Sequence, residues 1–240
     1  MRRDHDSSQC MIHTSADITQ NITRIAVTLV PILLGMVLHE LAHGYAAYRL
    51  GDPTPKLQGR LTLNPLKHLD VTGSLIFIIT ALTSPFVFGW AKPVNVQPRY
   101  FKDPRKGMML ISFAGPATNF LLAIVFAGFY SLLIRYAISA GGPLSTTMQF
   151  FLRMALVGIW INFTLGWFNL LPIPSLDGGH ILAGLLPEEF ARKFYSLGRY
   201  ALIIIVLLFV SGAFRYIMGP LVGTSVDLVG ALFSIPPQLL

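Results

Sequence analysis

The feature that most constrains the fold of this chain is a series of long apolar runs, each about as long as a bilayer is thick. Residues 22–48, 108–136, 148–171 and 197–218 form such runs, and a weaker one covers residues 220–235. About 20 apolar residues in a helix cross the hydrocarbon core, and lipid offers no partner for backbone groups, which favours helices. Only 12% of the residues are charged. We therefore predict an all-α polytopic membrane protein with four to six transmembrane helices.

The two ends of the chain differ from its middle. The polar N-terminus has neither the apolar core nor the cleavage site of a secretory signal, so residues 1–20 are expected to form a flexible tail. Residues 21–186 would form a catalytic membrane core, and residues 187–240 would add C-terminal membrane helices. Cys10 is the only cysteine, so the sequence predicts neither an intramolecular disulfide nor a thiolate metal cluster.

The basic residues indicate orientation in a membrane. The formal charge of +7 comes from Lys and Arg at the ends of the apolar runs, not from a patch interleaved with aromatic residues, which argues against a nucleic-acid partner. The connection between Arg135 and Arg153 contains no basic residue and is predicted to be external. The segment predicted to be cytoplasmic carries nine: Arg49, Lys56, Arg60, Lys67, Lys92, Arg99, Lys102, Arg105 and Lys106.

A further apolar stretch, residues 75–90, complicates this orientation. A single crossing there would place five of the nine positive charges outside. We predict a re-entrant or hairpin segment beside the inner end of the first run, because polar backbone is tolerated at membrane depth where it lines a cavity. The alternative is an ordinary span that violates the charge rule.

Three ionisable residues lie near the end of the first apolar run, in the sequence HELAH. His39 and His43 are four residues apart and share one face of a helix, with Glu40 beside them, as in H-E-x-x-H zinc sites. This pattern predicts two zinc ligands and a carboxylate that takes a proton from water. A histidine bonded to a neighbouring helix would explain His39 alone, but not all three residues together.

Catalytic zinc usually has three protein ligands, so a third donor is expected. Asp177 is favoured, because the preceding prolines end a helix, the following glycines permit unusual backbone angles, and the segment reaches the membrane face of the histidines. An aspartate that only caps a turn is the alternative. His180 is interpreted as an exposed loop histidine. The other donors are His68, Asp70 and, in the tail, His5 and His13.

Three motifs in this order resemble the site-2 protease family of intramembrane zinc metalloproteases: HELAH, FAGPATN at residues 113–119, and NLLPIPSLDGG at residues 169–179. The resemblance implies that His39, His43 and Asp177 bind one Zn²⁺ per chain and that Glu40 is the general base. It also implies that Asn169 helps to hold the substrate carbonyl or its oxyanion, as a side-chain amide can.

The rest of the resemblance concerns branch and support. Residues 59–70 and 88–96 resemble the compact bacterial and archaeal branch, and no PDZ or nucleotide-binding segment is recognised. Gly115, Pro116 and Asn119 are assigned to helix packing and site support. Asn162 is interpreted as a residue that hydrogen-bonds between helices.

The expected function is cleavage of single-span membrane proteins by a multi-pass protein of the cell membrane, with the active site near the cytoplasmic face. Two alternatives stay open. A metal transporter would distribute acidic residues through the membrane depth, whereas only one cluster near one face is seen. A helix-binding chaperone without catalysis is the other, although the intact Glu40 favours an enzyme.

Overall fold

The computed structural model describes the backbone of residues 4–73, 75, 76, 79 and 92–240, and the side chains of those from residue 23 onward. The first helix, α1, spans Asp4–Arg49. Its part from Thr23 is long and apolar enough to cross a membrane. The backbone of residues 4–20, expected from the sequence to be a tail, is thus helical, and the flexibility of that segment stays a prediction.

The connection between α1 and the next long helix folds over the end of α1. It contains the short helix α2, Thr54–Leu57, and 3₁₀ turns at Pro65–Lys67 and Pro98–Tyr100. Residues 92–97 belong to no helix or strand, and Gln97 at their end has extended backbone angles. Of the predicted re-entrant segment at residues 75–90, only 75, 76 and 79 are described, so the choice between a re-entrant segment and a span lies outside the described residues.

Two long helices pack against α1 and form the centre of the bundle. Helix α3 spans Pro104–Ala140, and helix α4 spans Thr146–Asn169. Asp103 caps the first turn of α3 by accepting from the backbone N–H groups of Arg105 and Lys106 at 3.1 Å. Small residues allow the two helices to approach closely, since a Cβ on Gly158 would lie 2.6 Å from the ring of Phe126.

Four shorter helices follow: α5, Asp177–Leu185; α6, Glu188–Ser196; α7, Ala201–Val210; and α8, Ala213–Leu232. The Arg105 side chain donates to the carbonyl groups of Ala183 at 3.3 Å and Gly184 at 3.0 Å. These bonds hold the end of α5 against the start of α3.

The apolar segment Glu188–Val210 also meets the length and hydropathy of a membrane span. It is interrupted by a 3₁₀ turn at Leu197–Tyr200, and α7 has only 10 residues, about 15 Å of helix. The ring of Phe209 at its far end lies 6.4 Å from Phe168, near the end of α4. Gly198 at the bend lies against Pro174, just beyond α4. The segment therefore stays near one end of α4.

Helix α8 runs back along the bundle from this point. Phe214 at its start contacts Phe168, whereas the carbonyl of Phe233 at its end accepts a hydrogen bond from the Ser131 hydroxyl at 3.0 Å. The predicted span at residues 197–218 is thus wrong in its bounds. Gly212, with φ of 76°, turns the chain between α7 and α8, and a single glycine in an apolar run is a weak signal.

All long elements in the described part of the chain are helices, and four segments are long and apolar enough to cross a membrane. The prediction of an all-α polytopic membrane protein is confirmed.

Candidate metal centre and active site

His39 and His43 lie on one face of α1, near its carboxyl-terminal end. Their Nε2 atoms are 3.0 Å apart, and their rings meet edge to face with centroids 4.5 Å apart. His39 is buried and His43 is nearly so. The i, i+4 spacing thus directs both imidazoles to one point, as the sequence predicts.

The other nitrogen of each ring is held by helix α3. His39 Nδ1 donates to Oδ1 of Asn119 at 2.7 Å, and His43 Nδ1 donates to the carbonyl of Ile111 at 2.7 Å. A carbonyl oxygen can only accept, so these bonds place the protons on Nδ1. In the neutral rings, both Nε2 lone pairs then face each other across 3.0 Å. Such an arrangement is repulsive unless a cation or a proton lies between them.

Asp177 brings a carboxylate to the same point. It is the first residue of α5, and its Oδ2 lies 3.1 Å from His39 Nε2 while its Oδ1 lies 3.3 Å from His43 Nε2. The loop before it is tight, because a Cβ on Gly178 would overlap the carbonyl of Leu170. Glycine at this position therefore lets α5 begin directly against the end of α4.

The three side chains fit a tetrahedral metal ion. With metal bonds of about 2.0–2.1 Å, ligand atoms in a zinc site lie roughly 3.3 Å from one another, close to the separations here. Asp177 Oδ2 is buried without a hydrogen-bond partner, as a free ligand atom would be. Burial alone would raise the pKa of Asp177, but the imidazoles of His39 and His43 favour its ionised form and lower the pKa to about 2. The carboxylate is therefore charged at neutral pH.

Helix α3 packs closely against the rings of His39 and His43 at Gly115. A Cβ on Gly115 would lie 2.5 Å from Cε1 of His43 and 2.6 Å from Cε1 of His39. No side chain larger than hydrogen fits there without a shift. The expected role of this residue in packing and site support has a definite steric basis in this contact.

Glu40 lies beside the histidines and contacts the connection after α1. Its Oε2 accepts from the backbone N–H of Val94 at 2.9 Å. Segment 92–97 is held at two other points: Lys92 N–H donates to the His68 carbonyl at 2.8 Å, and Gln97 N–H donates to Oδ2 of Asp52 at 2.7 Å. Asp52 is fully buried, so this anchor lies inside the fold.

A cavity of about 530 Å³ opens next to these groups. The three candidate ligand side chains line it together with Glu40 and Asn169, and residues 93–96 form another part of its wall. Asn169 ends α4, and its Nδ2 donates to the Leu165 carbonyl at 3.0 Å, which leaves its second N–H for another acceptor. The cavity therefore brings a carboxylate and an amide beside the candidate metal position.

Other predicted donors occupy different places. His180 lies on α5 instead of in a loop, lines the cavity, and its Nδ1 is 3.2 Å from the Tyr195 hydroxyl. Burial lowers the pKa of His180 and favours its neutral form. His68 bonds to the carbonyl of Thr62 at 2.9 Å, and Asp70 accepts from the N–H of Gly73 at 2.8 Å. His68 and Asp70 thus lie outside the group of three candidate ligands. The two histidines of the N-terminal segment lie outside the described side chains.

Among the described residues, the only group of three or more His, Cys, Asp or Glu close enough to hold a metal is His39, His43 and Asp177. Sequence reasoning missed two contributors, the carbonyl of Ile111 and the N–H of Val94. Both are backbone groups; every residue carries a carbonyl and every residue except proline an N–H, so no side-chain pattern marks them.

Known proteins similar to this chain carry names that fit such a site. YwhC of Bacillus subtilis, whose name describes an inferred zinc metalloprotease, is 39% identical to this chain over 211 residues. The match covers 86% of this chain and 90% of YwhC. Rip2 of Mycolicibacterium smegmatis, with the same description, is 31% identical over 83% of this chain and 73% of its own length. Zinc metalloprotease MJ0392 of Methanocaldococcus jannaschii is 26% identical over 69% of this chain and 36% of its own length.

No solved structure matches the chain. The model of peptidase family M50 matches residues 27–212, which include both histidines, Glu40 and Asp177. The resemblance inferred from the motifs is confirmed. The chain therefore belongs to peptidase family M50, the site-2 protease family, and is a multi-pass membrane zinc metalloprotease.

Proposed function

We propose that this protein hydrolyses peptide bonds of membrane-spanning protein substrates, in regulated intramembrane proteolysis, at the site formed by His39, His43 and Asp177. The observation that carries the proposal is the meeting of these three side chains from two distant segments, with ligand atoms within 4.8 Å of one another. Glu40 and Asn169 border the same cavity.

The proposed ligands are His39 Nε2, His43 Nε2 and one oxygen of Asp177. Zinc bound there supplies a Lewis acid that polarises the scissile carbonyl and makes a water molecule more acidic. Asn119 and the Ile111 carbonyl keep the two imidazoles in the tautomer that a metal requires.

Glu40 is the proposed general base and acid. The attacking water forms a C–O bond to the carbonyl carbon and gives a proton to the Glu40 carboxylate. Glu40 then delivers this proton to the amide nitrogen as the C–N bond breaks, so the products are a carboxylic acid and an amine. Val94 N–H engages Oε2 of Glu40, which orients the carboxylate and leaves Oε1 for the proton.

Asn169 is proposed to stabilise the substrate oxygen that gains negative charge during attack. Its free amide N–H lies at the wall of the cavity, at the end of a rigid helix. A donor of this kind is commonly worth 10²–10³-fold in rate, about 2.7–4 kcal/mol. The intrahelical bond to Leu165 fixes the direction of the amide.

The substrate is proposed to enter in an extended form. A helix has its carbonyls occupied by hydrogen bonds, so the scissile region must unwind before attack. Residues 93–96 line the cavity and belong to no helix or strand, and an extended peptide can pair with free backbone groups of such a segment through hydrogen bonds.

The active site is proposed to face the cytoplasm. The described site lies at the end of α1 that leads into the connection rich in Lys and Arg, and such connections stay on the cytoplasmic side. Water and the polar flank of a substrate would enter from there.

The test compares wild type with Glu40→Gln in detergent. Zinc per chain is measured, together with cleavage of a model single-span protein. We expect about one zinc in both proteins and a loss of cleavage of at least about 10²-fold in the variant. Equal cleavage by both would remove Glu40 as the base. Zinc binding without any cleavage by wild type would favour a helix-binding chaperone, and metal flux into liposomes would favour a transporter.

A further inference from the structure

A series of buried hydrogen bonds between side-chain amides leads from His39 into the helix bundle. His39 Nδ1 bonds to Asn119 Oδ1 at 2.7 Å, and Asn119 Nδ2 donates to Oδ1 of Asn162 at 3.1 Å. Asn162 Nδ2 then donates to the carbonyl of Gly158 at 2.9 Å. Both asparagines are fully buried, so water does not compete for any of these bonds.

The Gly158 carbonyl, at the opposite end of this series from His39, determines which group donates and which accepts in each bond. The Gly158 carbonyl can only accept, so Asn162 turns its NH₂ group to Gly158 and its oxygen to Asn119. Asn119 must then present its NH₂ group to that oxygen and to the Gly35 carbonyl, which it reaches at 3.3 Å. Its own oxygen is left for His39, and this oxygen accepts only from a protonated Nδ1.

The reversed orientation of Asn119 would leave buried groups unpaired. Its oxygen would face Asn162 Oδ1 and the Gly35 carbonyl, which are both acceptors. Unpaired polar groups are expensive where lipid and protein exclude water. The observed orientation of Asn119 is therefore the one in which every polar group of the series has a hydrogen-bond partner.

We propose that Asn162 is a positioning residue for zinc binding: through Asn119 it holds the proton of His39 on Nδ1 and so keeps the lone pair of Nε2 directed at the metal. This inference rests on the proposed role of His39 as a ligand. It assigns to Asn162 more than the hydrogen bonding between helices that its sequence context predicts.

The experiment measures zinc affinity in the full-length protein in detergent by competition with a chelator. Asn162→Leu removes the acceptor for Asn119 at similar volume, and Asn162→Ala removes it with a small cavity. We expect about tenfold weaker zinc binding in both, at the low end of the effect of outer-shell partners. The absorption bands of the Co²⁺-substituted protein should shift as well, because they report ligand geometry.

Ser131→Ala provides the matched control. Ser131 is buried on α3 and donates to the Phe233 carbonyl between two elements of the same bundle, but it does not touch the asparagines. Its loss should lower the melting temperature without changing zinc affinity. If the Asn162 variants behave like Ser131→Ala, with lower melting temperature but unchanged zinc affinity and Co²⁺ spectrum, the proposal is overturned.

A double-mutant cycle with Asn119→Ala tests the route. If Asn162 acts through Asn119, adding Asn162→Ala to Asn119→Ala should weaken zinc binding by less than about twofold. Losses that multiply fully would overturn the route through Asn119. This readout compares folded proteins with one another, so a general loss of stability does not imitate it.

His39→Ala separates this inference from the proposed function. If His39→Ala retains the zinc affinity of wild type, the proposed ligand set fails, and the role of Asn162 fails with it. If His39→Ala loses zinc while the Asn162 variants keep it, only the inference about Asn162 is wrong.

Discussion

The candidate metal site has two sides that differ in structure: buried side chains of the helix bundle form one, and a non-helical segment beside a cavity forms the other. On the side of the helix bundle, side chains on α1, α3 and α4 form a closed set of hydrogen bonds in which Asn119 and Asn162 have no exposure to solvent. On the side of the connection after α1, residues 93–96 border an open cavity, and their segment is held at separate points.

This difference suggests a division of tasks. Metal geometry tolerates little error, and it depends on helices that cannot move without breaking buried bonds. A polypeptide substrate needs space and a surface that can adapt, and the proposed substrate wall belongs to a segment held at separate points by Glu40, Asp52 and the His68 carbonyl. Changes on the bundle side should therefore affect zinc, whereas changes on the cavity side should affect substrate binding.

The largest effect on zinc binding is expected from Asp177→Ala. Removing one of three proposed ligands should weaken zinc binding by more than the 10–100-fold typical of outer-shell changes and abolish cleavage. Zinc per chain after dialysis against a weak chelator measures this. Asp227→Ala, at an exposed acidic residue on α8, is the control. A variant at position 177 that keeps tightly bound zinc would contradict the proposed ligand set.

A smaller effect is expected from Gly115→Ala. The added Cβ would lie about 2.5 Å from the His43 ring, so α3 must move or the imidazole must turn, with an overpacking cost of about 1–3 kcal/mol. We expect weaker zinc binding and a lower melting temperature. Gly223→Ala on α8 has no atom within 4 Å of the new Cβ and should leave both unchanged or raise stability. Equal zinc affinity in wild type and Gly115→Ala would show that this approach is not limiting.

The smallest effect is expected from Asp52→Asn, and it should concern substrate. The Asp52 carboxylate accepts from the N–H of Thr54 at 2.9 Å and of Gln97 at 2.7 Å, and an amide can accept with only one of its two polar ends. The end of segment 92–97 should loosen, which we expect to raise KM about three- to tenfold, since a buried N–H without a partner costs about 1–3 kcal/mol. Zinc affinity should stay at the wild-type value. A loss of zinc equal to that of Gly115→Ala would erase the distinction between the two sides.

The sequence predicts the side-chain part of the site better than its backbone part. The spacing of His39 and His43 follows from the helical period, and the proline and glycine residues around Asp177 announce the turn that returns the chain to the site. The carbonyl of Ile111 and the N–H of Val94 have no such signature. Their roles depend on how closely α3 and segment 92–97 lie against α1, and packing sets that distance.

The C-terminal part shows the same limit in the fold. Residues 197–218 have the composition of one span, yet the chain turns at Gly212 with a positive φ. Hydropathy measures how apolar a segment is and not where its ends lie. The contacts of Phe209 and Phe214 with Phe168 decide that question.

This turn also determines how the topology of the protein would read in a fusion experiment. Since the segment Glu188–Val210 begins and ends near the same end of α4, alkaline phosphatase or green fluorescent protein fused after Leu186 or after Ser211 would report the same compartment.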